Sequence, residues 1–387
     1  MPAPTQDSAQ IRAPDEDGGV PDGVGRYSLT ALRGGRWLHM GVAATAVAGV
    51  AGAFAFTAGW IAPSRLSQGR VIDRFEQVNG VHPGFRRNHA KGLCFTGWFD
   101  SNGAGARLSK AVVFEPERTP VFGRFALAGG QPYQADAPNT VRSMAINFAL
   151  TDGEIWRTGM NNIPVFPVRD VRGFYDQLAA ARPDPATGKP NPEHMNAFLA
   201  SHPETVRASA LIKAQPPTGG FADATYNSLN AFRLVDASGV STPVRWSMAA
   251  EDPVRASQPA SVGSQDRNQL FDDLIARMNT GPARWRLLVT VGQPGDPTND
   301  ATVPWPADRQ RLDVGTLTVE RVEDEGDGVC RDVNFDPLIL PDGIAPSDDP
   351  LLSARSATYS ESFSRRAGEP KTPSAVQLSS NTEGTRQ

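Results

Sequence analysis

Apolar and polar residues alternate in short segments through the middle of the chain, and this pattern predicts β-strands rather than helices. The alternation at residues 143–148 is typical of an antiparallel sheet with one buried face. A turn at residues 235–240 separates two of these segments, which indicates a hairpin. The predicted strands are residues 107–114, 120–127, 141–148, 230–235, 242–248, 285–291 and 315–319.

Helical patterns are fewer. Residues 170–181 begin with Asp170 as a candidate N-cap, and residues 192–201 begin with a proline in the first turn, where proline is favoured. Residues 264–278 carry a serine N-cap and an apolar stripe, and residues 350–366 form the fourth candidate helix. Together with 37 glycines and 33 prolines, this mixture favours an α+β, barrel-type domain over a helical bundle.

The N-terminal region has a different pattern. Residues 1–40 are predicted to be a disordered arm, because the first 25 are rich in Pro, Asp, Gln and Gly and have no apolar periodicity. Residues 41–62 carry no charge, and a helix of that length spans the roughly 30 Å apolar core of a bilayer. We interpret them as a transmembrane signal anchor. A cleaved secretory signal and a buried soluble helix are the two alternatives.

The orientation of this segment does not follow from charge, because arginines lie on both sides of it. N-terminal apolar segments usually serve export, so we expect the large C-terminal part outside the cytoplasm, on the periplasmic side. If the segment is cleaved, we expect a protein secreted to the periplasm. Residues 70–366 are predicted to be one domain, and residues 367–387, rich in Ser, Thr and Pro, a disordered tail.

Composition excludes several classes of protein. The net charge is −4 and no basic stripe is present, so we expect no nucleic-acid partner. Only Cys94 and Cys330 occur, which excludes a disulfide-scaffold fold and a zinc ribbon. Two buried thiols are the favoured interpretation of this pair, and one bridge between them stays open.

Three short segments carry residues suited to catalysis. They read His-Ala-Lys-Gly at residues 89–92, Asn-Asn-Ile-Pro-Val-Phe at residues 161–166 and Arg-Ser-Ala-Thr-Tyr at residues 355–359. An imidazole can move a proton, an amide can stabilise charge on a departing oxygen, and tyrosinate is a known haem ligand. Alone, each has an ordinary alternative: a surface histidine, a turn, and a surface pair on a helix.

Together and in this order, the three segments resemble the haem site of the monofunctional catalases, and especially of the small catalase-related peroxidases. The resemblance covers about 300 residues, from roughly 70 to 366. It implies a catalase-like antiparallel β-barrel with surrounding helices and haem b as cofactor. It also implies His89 and Asn161 as catalytic residues and Tyr359 as the axial iron ligand.

The same resemblance implies further contacts with the cofactor. The family's three arginines that bind the haem propionates match Arg86, Arg124 and Arg366, and Phe174 falls where the family places a phenylalanine against the haem. Arg355 precedes Tyr359 by one helical turn, and a cation there favours the ionised phenolate.

The sequence also departs from the family pattern. Ala126 stands in place of a serine near the distal histidine, and Asn88 in place of an apolar residue. The chain is shorter than full catalases, which implies a more open channel. We therefore expect a peroxidase that reduces hydrogen peroxide or organic hydroperoxides with an external donor, whose identity the sequence leaves unknown. The alternatives are a true catalase, a hydroperoxide isomerase and a non-enzymatic, membrane-tethered haem-binding protein. The oligomeric state is unknown from sequence.

Overall fold

The computed structural model describes residues 29–57, 66–137, 139–216, 218–252 and 267–378. The chain divides into two compact units, residues 1–65 and residues 66–387. In the first unit, α1 (Leu29–Thr57) is one continuous helix. Its segment His39–Phe56 has a mean hydropathy of 1.5 and is long and apolar enough to cross a membrane, a property that signal sequences and buried core helices share.

The helix α1 begins earlier than the predicted apolar segment. Residues 29–40 belong to it, so this part of the predicted disordered arm is helical. Leu29, Ala31, Leu32 and Arg33 are favourable helix residues, and no proline interrupts them. Residues 1–28 of the arm and residues 58–62 of the predicted span lie outside the described residues.

The second unit is built on antiparallel strands that close into an eight-stranded barrel. In chain order the described strands are β1 (Gly92–Ser101), β2 (Arg118–Leu127), β3 (Arg142–Ala149), β4 (Ile155–Asn161), β5 (Tyr226–Asn227), β6 (Phe232–Val235), β7 (Ser241–Ala250), β8 (Ala283–Val291), β9 (Arg311–Glu323) and β10 (Ile344–Pro346). Strands β1 to β5, β7, β8 and β9 pair one after another, and β9 returns to pair with β1. Outside this ring, β6 pairs with β7 and β10 pairs with β6.

Aromatic side chains fill the barrel interior. The ring of Phe125 lies 4.9 Å from that of Phe95 and 5.7 Å from those of Phe221 and Trp285, centroid to centroid. Successive residues of a strand point to opposite faces of the sheet. On β2, β3 and β4, every second residue therefore faces outward, away from the barrel interior. The candidate site lies on this outer face.

Six α-helices of the described residues surround the barrel: α2 (Gln68–Asn79), α3 (Val171–Ala180), α4 (Pro192–Ser201), α5 (Pro203–Ala214), α6 (Gln269–Met278) and α7 (Pro350–Ala367). Three of them, α2, α3 and α7, pack against one another. Asp170 caps α3, as predicted, by accepting a hydrogen bond from the Gly173 amide. Asp349 caps α7 in the same way through the Leu351 amide.

One predicted strand is wrong. The segment 107–114 starts at the last residue of one short 3₁₀ turn, Ala104–Arg107, and ends with another, Val112–Phe114, with an irregular stretch between them. The Ser109 hydroxyl donates to the Gly343 carbonyl and accepts from the Ala111 amide, which holds this segment outside the sheet. The apolar residues Ala111, Val113 and Phe114 of this segment are nevertheless buried against the core. The helix predicted from residue 264 begins at Gln269 in the described part of the chain.

The predicted disordered tail is wrong for residues 367–378. Glu369 accepts hydrogen bonds from the Arg87 guanidinium and from the Gly84 amide, the latter at 2.8 Å. Val376 is fully buried in the core. An ion pair and one buried apolar side chain hold a segment whose composition resembles that of a flexible tail. Residues 379–387 lie outside the described residues.

The two cysteines form a disulfide, so the favoured interpretation of two free thiols is wrong. The Cα atoms of Cys94 and Cys330 lie 5.4 Å apart, within the range that a bridge requires. The bond joins β1 to the loop after β9. The two residues are 236 positions apart, and only the folded barrel brings them together.

Candidate functional site

A cavity of about 400 Å³ lies between the outer face of strands β2 to β4 and helices α2, α3 and α7. Most of its surface is apolar, with Val71, Ile72 and Phe75 of α2 on one side. Every site residue that the sequence predicted lines it: Arg86, His89, Arg124, Asn161, Phe174, Arg355, Tyr359 and Arg366. The fold therefore collects into one cavity the residues of three segments that are far apart in sequence.

His89 lies in the loop before β1, in a left-handed backbone conformation with φ of 55°. Such a conformation is uncommon for residues other than glycine and is often found at functional sites. The Asn88 side-chain oxygen accepts from the His89 amide at 3.0 Å and from the Gly129 amide at 2.9 Å. Asn88, whose polarity looked anomalous in the sequence, therefore helps to hold the turn that presents the imidazole.

The imidazole Nδ1 of His89 lies 3.1 Å from the Ser143 hydroxyl. Ser143 on β3 is directly opposite both Ala126 on β2 and Asn161 on β4. Position 126 has no hydroxyl, and Ser143 on the neighbouring strand supplies one instead. The histidine, serine and asparagine form one cluster at this corner of the cavity.

His89 is neutral at physiological pH. Burial, followed by the positive charges of Arg124, Arg355 and Arg86, lowers the pKa of His89 from 6.5 to about 3. A neutral imidazole has one nitrogen with a free lone pair, so it can accept a proton from a bound substrate. The Ser143 hydroxyl donates to the Ala126 carbonyl at 3.3 Å, so it accepts from Nδ1–H of His89, and in this tautomer Nε2 carries the lone pair.

The depressed pKa predicts loss of stability in acid. Between pH 6.5 and 3 the unfolded chain binds a proton at His89 that the folded chain does not, so stability falls as pH falls. On going from pH 7 to 4.5, this group should cost about 2–3 kcal/mol. His89→Gln removes that contribution. Urea unfolding of both proteins at the two pH values measures it, and an equal pH effect in both would contradict the assignment.

Asn161 stands at the end of β4 with its side chain in the cavity. Its neighbour Asn162 closes the turn: its side chain accepts from the Arg142 amide at 2.7 Å, and its own amide donates to the Arg142 carbonyl at 2.9 Å. The Asn161 side chain forms no hydrogen bond with the described residues, so its amide is available to a ligand. The turn interpretation is correct for Asn162, and the catalytic role of Asn161 stays a prediction.

Tyr359 lies on α7, and Arg355 lies one turn before it on the same face. The Arg355 Nη2 atom is 3.4 Å from the Tyr359 hydroxyl and donates to it. Arg355 is itself held, since its Nη1 donates to Asn230 Oδ1 at 2.5 Å and its Nη2 to the Gly159 carbonyl at 3.4 Å. Asn230 in turn donates to the buried Asp349 at 2.8 Å. Hydrogen bonds from Asp349, the N-cap of α7, through Asn230 to Arg355 thus orient the guanidinium beside the phenol.

Three arginines collect at another part of the cavity wall. Arg86, Arg124 and Arg366 line it, and all three are mostly buried. Burial, followed by the charge of Arg124, lowers the pKa of Arg86, and burial lowers the pKa of Arg366. One carboxylate, Glu325, pairs with Arg86 at 2.9 Å and with Arg124 at 2.6 Å. This concentration of buried positive charge suits a ligand that carries carboxylates.

Phe174 supplies an aromatic wall. Its ring lies 5.6 Å from that of Phe75 on α2 and 5.9 Å from that of Phe166. An apolar cavity with these rings, a phenol beside an arginine, and an arginine cluster fits a flat apolar cofactor with carboxylate substituents. These features suit a haem, whose propionates are carboxylates and whose iron can take a tyrosinate ligand.

Three residues of this site were missed by sequence reasoning: Ser143, Asn230 and Glu325. Ser143 and Asn230 lie in segments predicted as strands, and a polar residue in such a strand is expected to face solvent. Glu325 lies in an acidic run, Glu-Asp-Glu-Gly-Asp, that reads as a solvated loop. No pattern in the sequence indicated that any of them faces buried groups.

Comparison with known proteins agrees with this geometry. A sequence profile of the Catalase family matches residues 53–382. The chain is 34% identical over 331 residues to a catalase-related peroxidase of Synechococcus elongatus, covering 86% of this chain and 96% of that protein. It is 33% identical over 307 residues to a catalase-related peroxidase of Mycolicibacterium paratuberculosis, covering 78% and 96%.

Comparison with solved structures also indicates a catalase-like fold. The structure of catalase A from Saccharomyces cerevisiae superposes with a TM-score of 0.66 at 18% identity. The match covers 77% of this chain and 65% of the yeast chain, so the present protein spans under two thirds of that catalase. The predicted catalase-like barrel with surrounding helices is therefore confirmed. From the family profile and the two relatives above 30% identity, we conclude that the chain belongs to the catalase family.

Proposed function

We propose that this protein is a haem-dependent peroxidase that reduces hydrogen peroxide or an organic hydroperoxide with electrons from an external donor. Peroxide takes up two electrons and two protons, giving water and either a second water or an alcohol. One observation carries the proposal. A neutral histidine fixed by a serine lies beside an asparagine with a free amide, in one cavity with a tyrosine–arginine pair.

His89 performs the proton transfers in this proposal. A peroxide must lose the proton from one oxygen and gain one on the other before the O–O bond breaks. The free Nε2 of neutral His89 accepts the first proton and delivers it to the departing oxygen. Ser143 keeps the ring in the orientation that both transfers need.

Asn161 acts on the departing oxygen. Negative charge develops there as the O–O bond lengthens, and an amide N–H₂ directed at it stabilises that charge. The amide needs no reorganisation, since it forms no hydrogen bond with the described residues and the Asn162 turn fixes its backbone.

Tyr359 and Arg355 would hold the iron of the cofactor. We assign the phenolate oxygen of Tyr359 as the group that would bind the iron and Arg355 as the cation that would stabilise its charge. Bound haem, which we propose is haem b, would pass to peroxide the two electrons that the external donor then restores. Arg86, Arg124 and Arg366 would bind its propionates, and Phe174 would pack near it.

Ser143→Ala should slow the reaction without removing the cofactor. Loss of the hydroxyl frees the ring of His89 to rotate, and we expect kcat/KM for peroxide to fall about 10-fold. Ser143→Thr keeps a hydroxyl and serves as the matched control. Steady-state rates on haem-replete protein test this. Equal rates for the alanine variant and the wild type would show that Ser143 does not position the imidazole.

The absorbance spectrum and donor-dependent turnover of the purified protein test the proposed function. We expect a high-spin ferric, tyrosinate-type haem spectrum, and oxidation of a dye donor by hydrogen peroxide and by cumene hydroperoxide. Vigorous oxygen release without a donor would instead identify a true catalase. Turnover of fatty-acid hydroperoxides without a donor would identify an isomerase, and haem without turnover would identify a binding protein.

We also propose that α1 anchors the protein in a membrane, with the catalytic unit outside the cytoplasm. The described side chains of α1 are mostly exposed and apolar, and a buried disulfide suits an oxidising compartment. Fractionation of cells followed by N-terminal sequencing tests this. Recovery in the soluble cytoplasmic fraction would contradict it, and a periplasmic protein lacking α1 would identify a cleaved signal.

A further inference from the structure

Glu325 is the carboxylate at the centre of the arginine cluster. Its Oε1 accepts from Arg86 Nη1 at 2.9 Å and from Arg124 Nε at 2.6 Å, and its Oε2 accepts from Arg124 Nη2 at 2.9 Å. Only 10% of its side chain is exposed. Burial alone would raise the pKa of Glu325, but Arg124, Arg86 and Arg366 outweigh burial and hold it at about 2. The residue is therefore ionised at neutral pH.

This carboxylate does not line the cavity. The three arginines do, so they lie between Glu325 and the space that a ligand would fill. Glu325 contacts Arg86 and Arg124 from outside the cavity lining. It therefore does not occupy the position of a ligand.

The backbone that carries Glu325 is firmly held. Its amide donates to Ser374 Oγ at 3.3 Å, and the Cys94–Cys330 disulfide ties the same loop to β1. That loop also holds two of the arginines. Arg86 donates to the Cys330 carbonyl at 2.9 Å, and Arg366 donates to the Arg331 carbonyl at 2.6 Å.

The charges of this cluster do not balance. Three guanidiniums and one carboxylate leave two positive charges in a buried region, where unpaired charge is costly. The other charges nearby do not change this count. Asp332 is paired with Lys371 at 2.5 Å, and Arg331 lies at a partly exposed position outside the cavity lining.

We propose that Glu325 is the internal counter-ion of a site built for three carboxylates, one from the protein and two from the porphyrin. This inference rests on the proposed haem binding and extends it. The protein carboxylate fixes Arg86 and Arg124 and lowers the cluster charge to the value that two propionates neutralise. Glu325 is a positioning residue, since it acts through the arginines, and the site is matched to a porphyrin with two free carboxylates.

The test compares full-length protein loaded with haem and with haem dimethyl ester, whose carboxylates are blocked. In Glu325→Gln the porphyrin carboxylates become the only counter-ions of three arginines. The difference in Tm between the haem and the diester complexes should therefore exceed that of the wild type by roughly 5 °C or more. Asp136→Asn is the matched control. It removes a buried carboxylate that is paired with Lys91 at 2.6 Å, away from the cavity lining. It should lower the Tm of the haem complex and the Tm of the diester complex equally.

If the Tm difference between the haem and diester complexes of Glu325→Gln is equal to or smaller than that of the wild type, the proposal is overturned. A purely structural role for Glu325 would lower the Tm of both complexes by the same amount. If that variant cannot be recovered, the double variant Glu325→Gln/Arg124→Gln restores two positive charges and should be recovered with haem. Failure of the double variant to recover would also contradict the charge account. Failure of the wild type to take up haem at all would instead reject the proposed function.

Discussion

Replacing His89 with glutamine is expected to lower peroxide turnover by roughly 10²–10⁴-fold, the usual contribution of a positioned acid–base group. Glutamine has similar reach but no lone pair on nitrogen able to accept a proton at neutral pH. Because Tyr359 and the arginine cluster are untouched, the haem content and the ferric absorbance spectrum should stay close to those of the wild type. Steady-state kinetics with a dye donor, together with the haem-to-protein ratio, measure both.

His82→Gln is the matched control for that variant. Its imidazole Nε2 lies 2.9 Å from the Asn79 carbonyl oxygen, and it is not among the residues lining the cavity. We expect it to retain turnover. Full activity of His89→Gln with normal haem content would reject the proton-transfer role and would leave the positively charged wall as the main feature of the site.

Replacing Tyr359 with phenylalanine is expected to weaken haem binding by roughly 100-fold or more, since even loss of an outer contact to a metal ligand commonly costs 10- to 100-fold. The phenylalanine keeps the ring but removes the oxygen that we assign to the iron. The Arg355 guanidinium also loses its contact at 3.4 Å. A spectral titration with haem measures the affinity, and the absorbance of any bound haem reports the changed axial ligand.

Tyr175→Phe provides the comparison. Its hydroxyl accepts from Arg74 Nη2 at 2.7 Å, so it too is a tyrosine paired with an arginine, but it does not line the cavity. That variant should bind haem like the wild type. Unchanged affinity and an unchanged spectrum in Tyr359→Phe would show that another group holds the iron.

Local sequence patterns predicted most of the regular elements. The strands near residues 120–127, 141–148 and 285–291 appear as β2, β3 and β8, because apolar alternation reports a half-buried sheet directly. The helix at residues 192–201 has the bounds that were predicted. Strands β1, β4, β5 and β10 and helices α2 and α5 were missed. Strand β1 has two glycines and an aspartate, and β5 and β10 are only two and three residues long.

The candidate site was predicted residue by residue from its resemblance to a family, and the fold then brought those residues together. Composition or periodicity alone would not have selected His89 from five histidines or Asn161 from its neighbour. The structure distinguishes the two, because the Asn162 side chain bonds within the turn and the Asn161 side chain lines the cavity. The serine beside His89 was sought at position 126 and lies at 143, because paired strands place residues far apart in sequence side by side.

The sequence by itself determined the alternation of strands and helices, the apolar N-terminal segment and the types of group available for chemistry, since these depend on short-range periodicity and residue identity. The tertiary structure decided which groups meet. Closure of the barrel joined Cys94 to Cys330, and the loop held by that disulfide placed Glu325 behind the arginines. Such contacts depend on strand register and loop path, which are set by packing of the whole domain, and no local pattern records them.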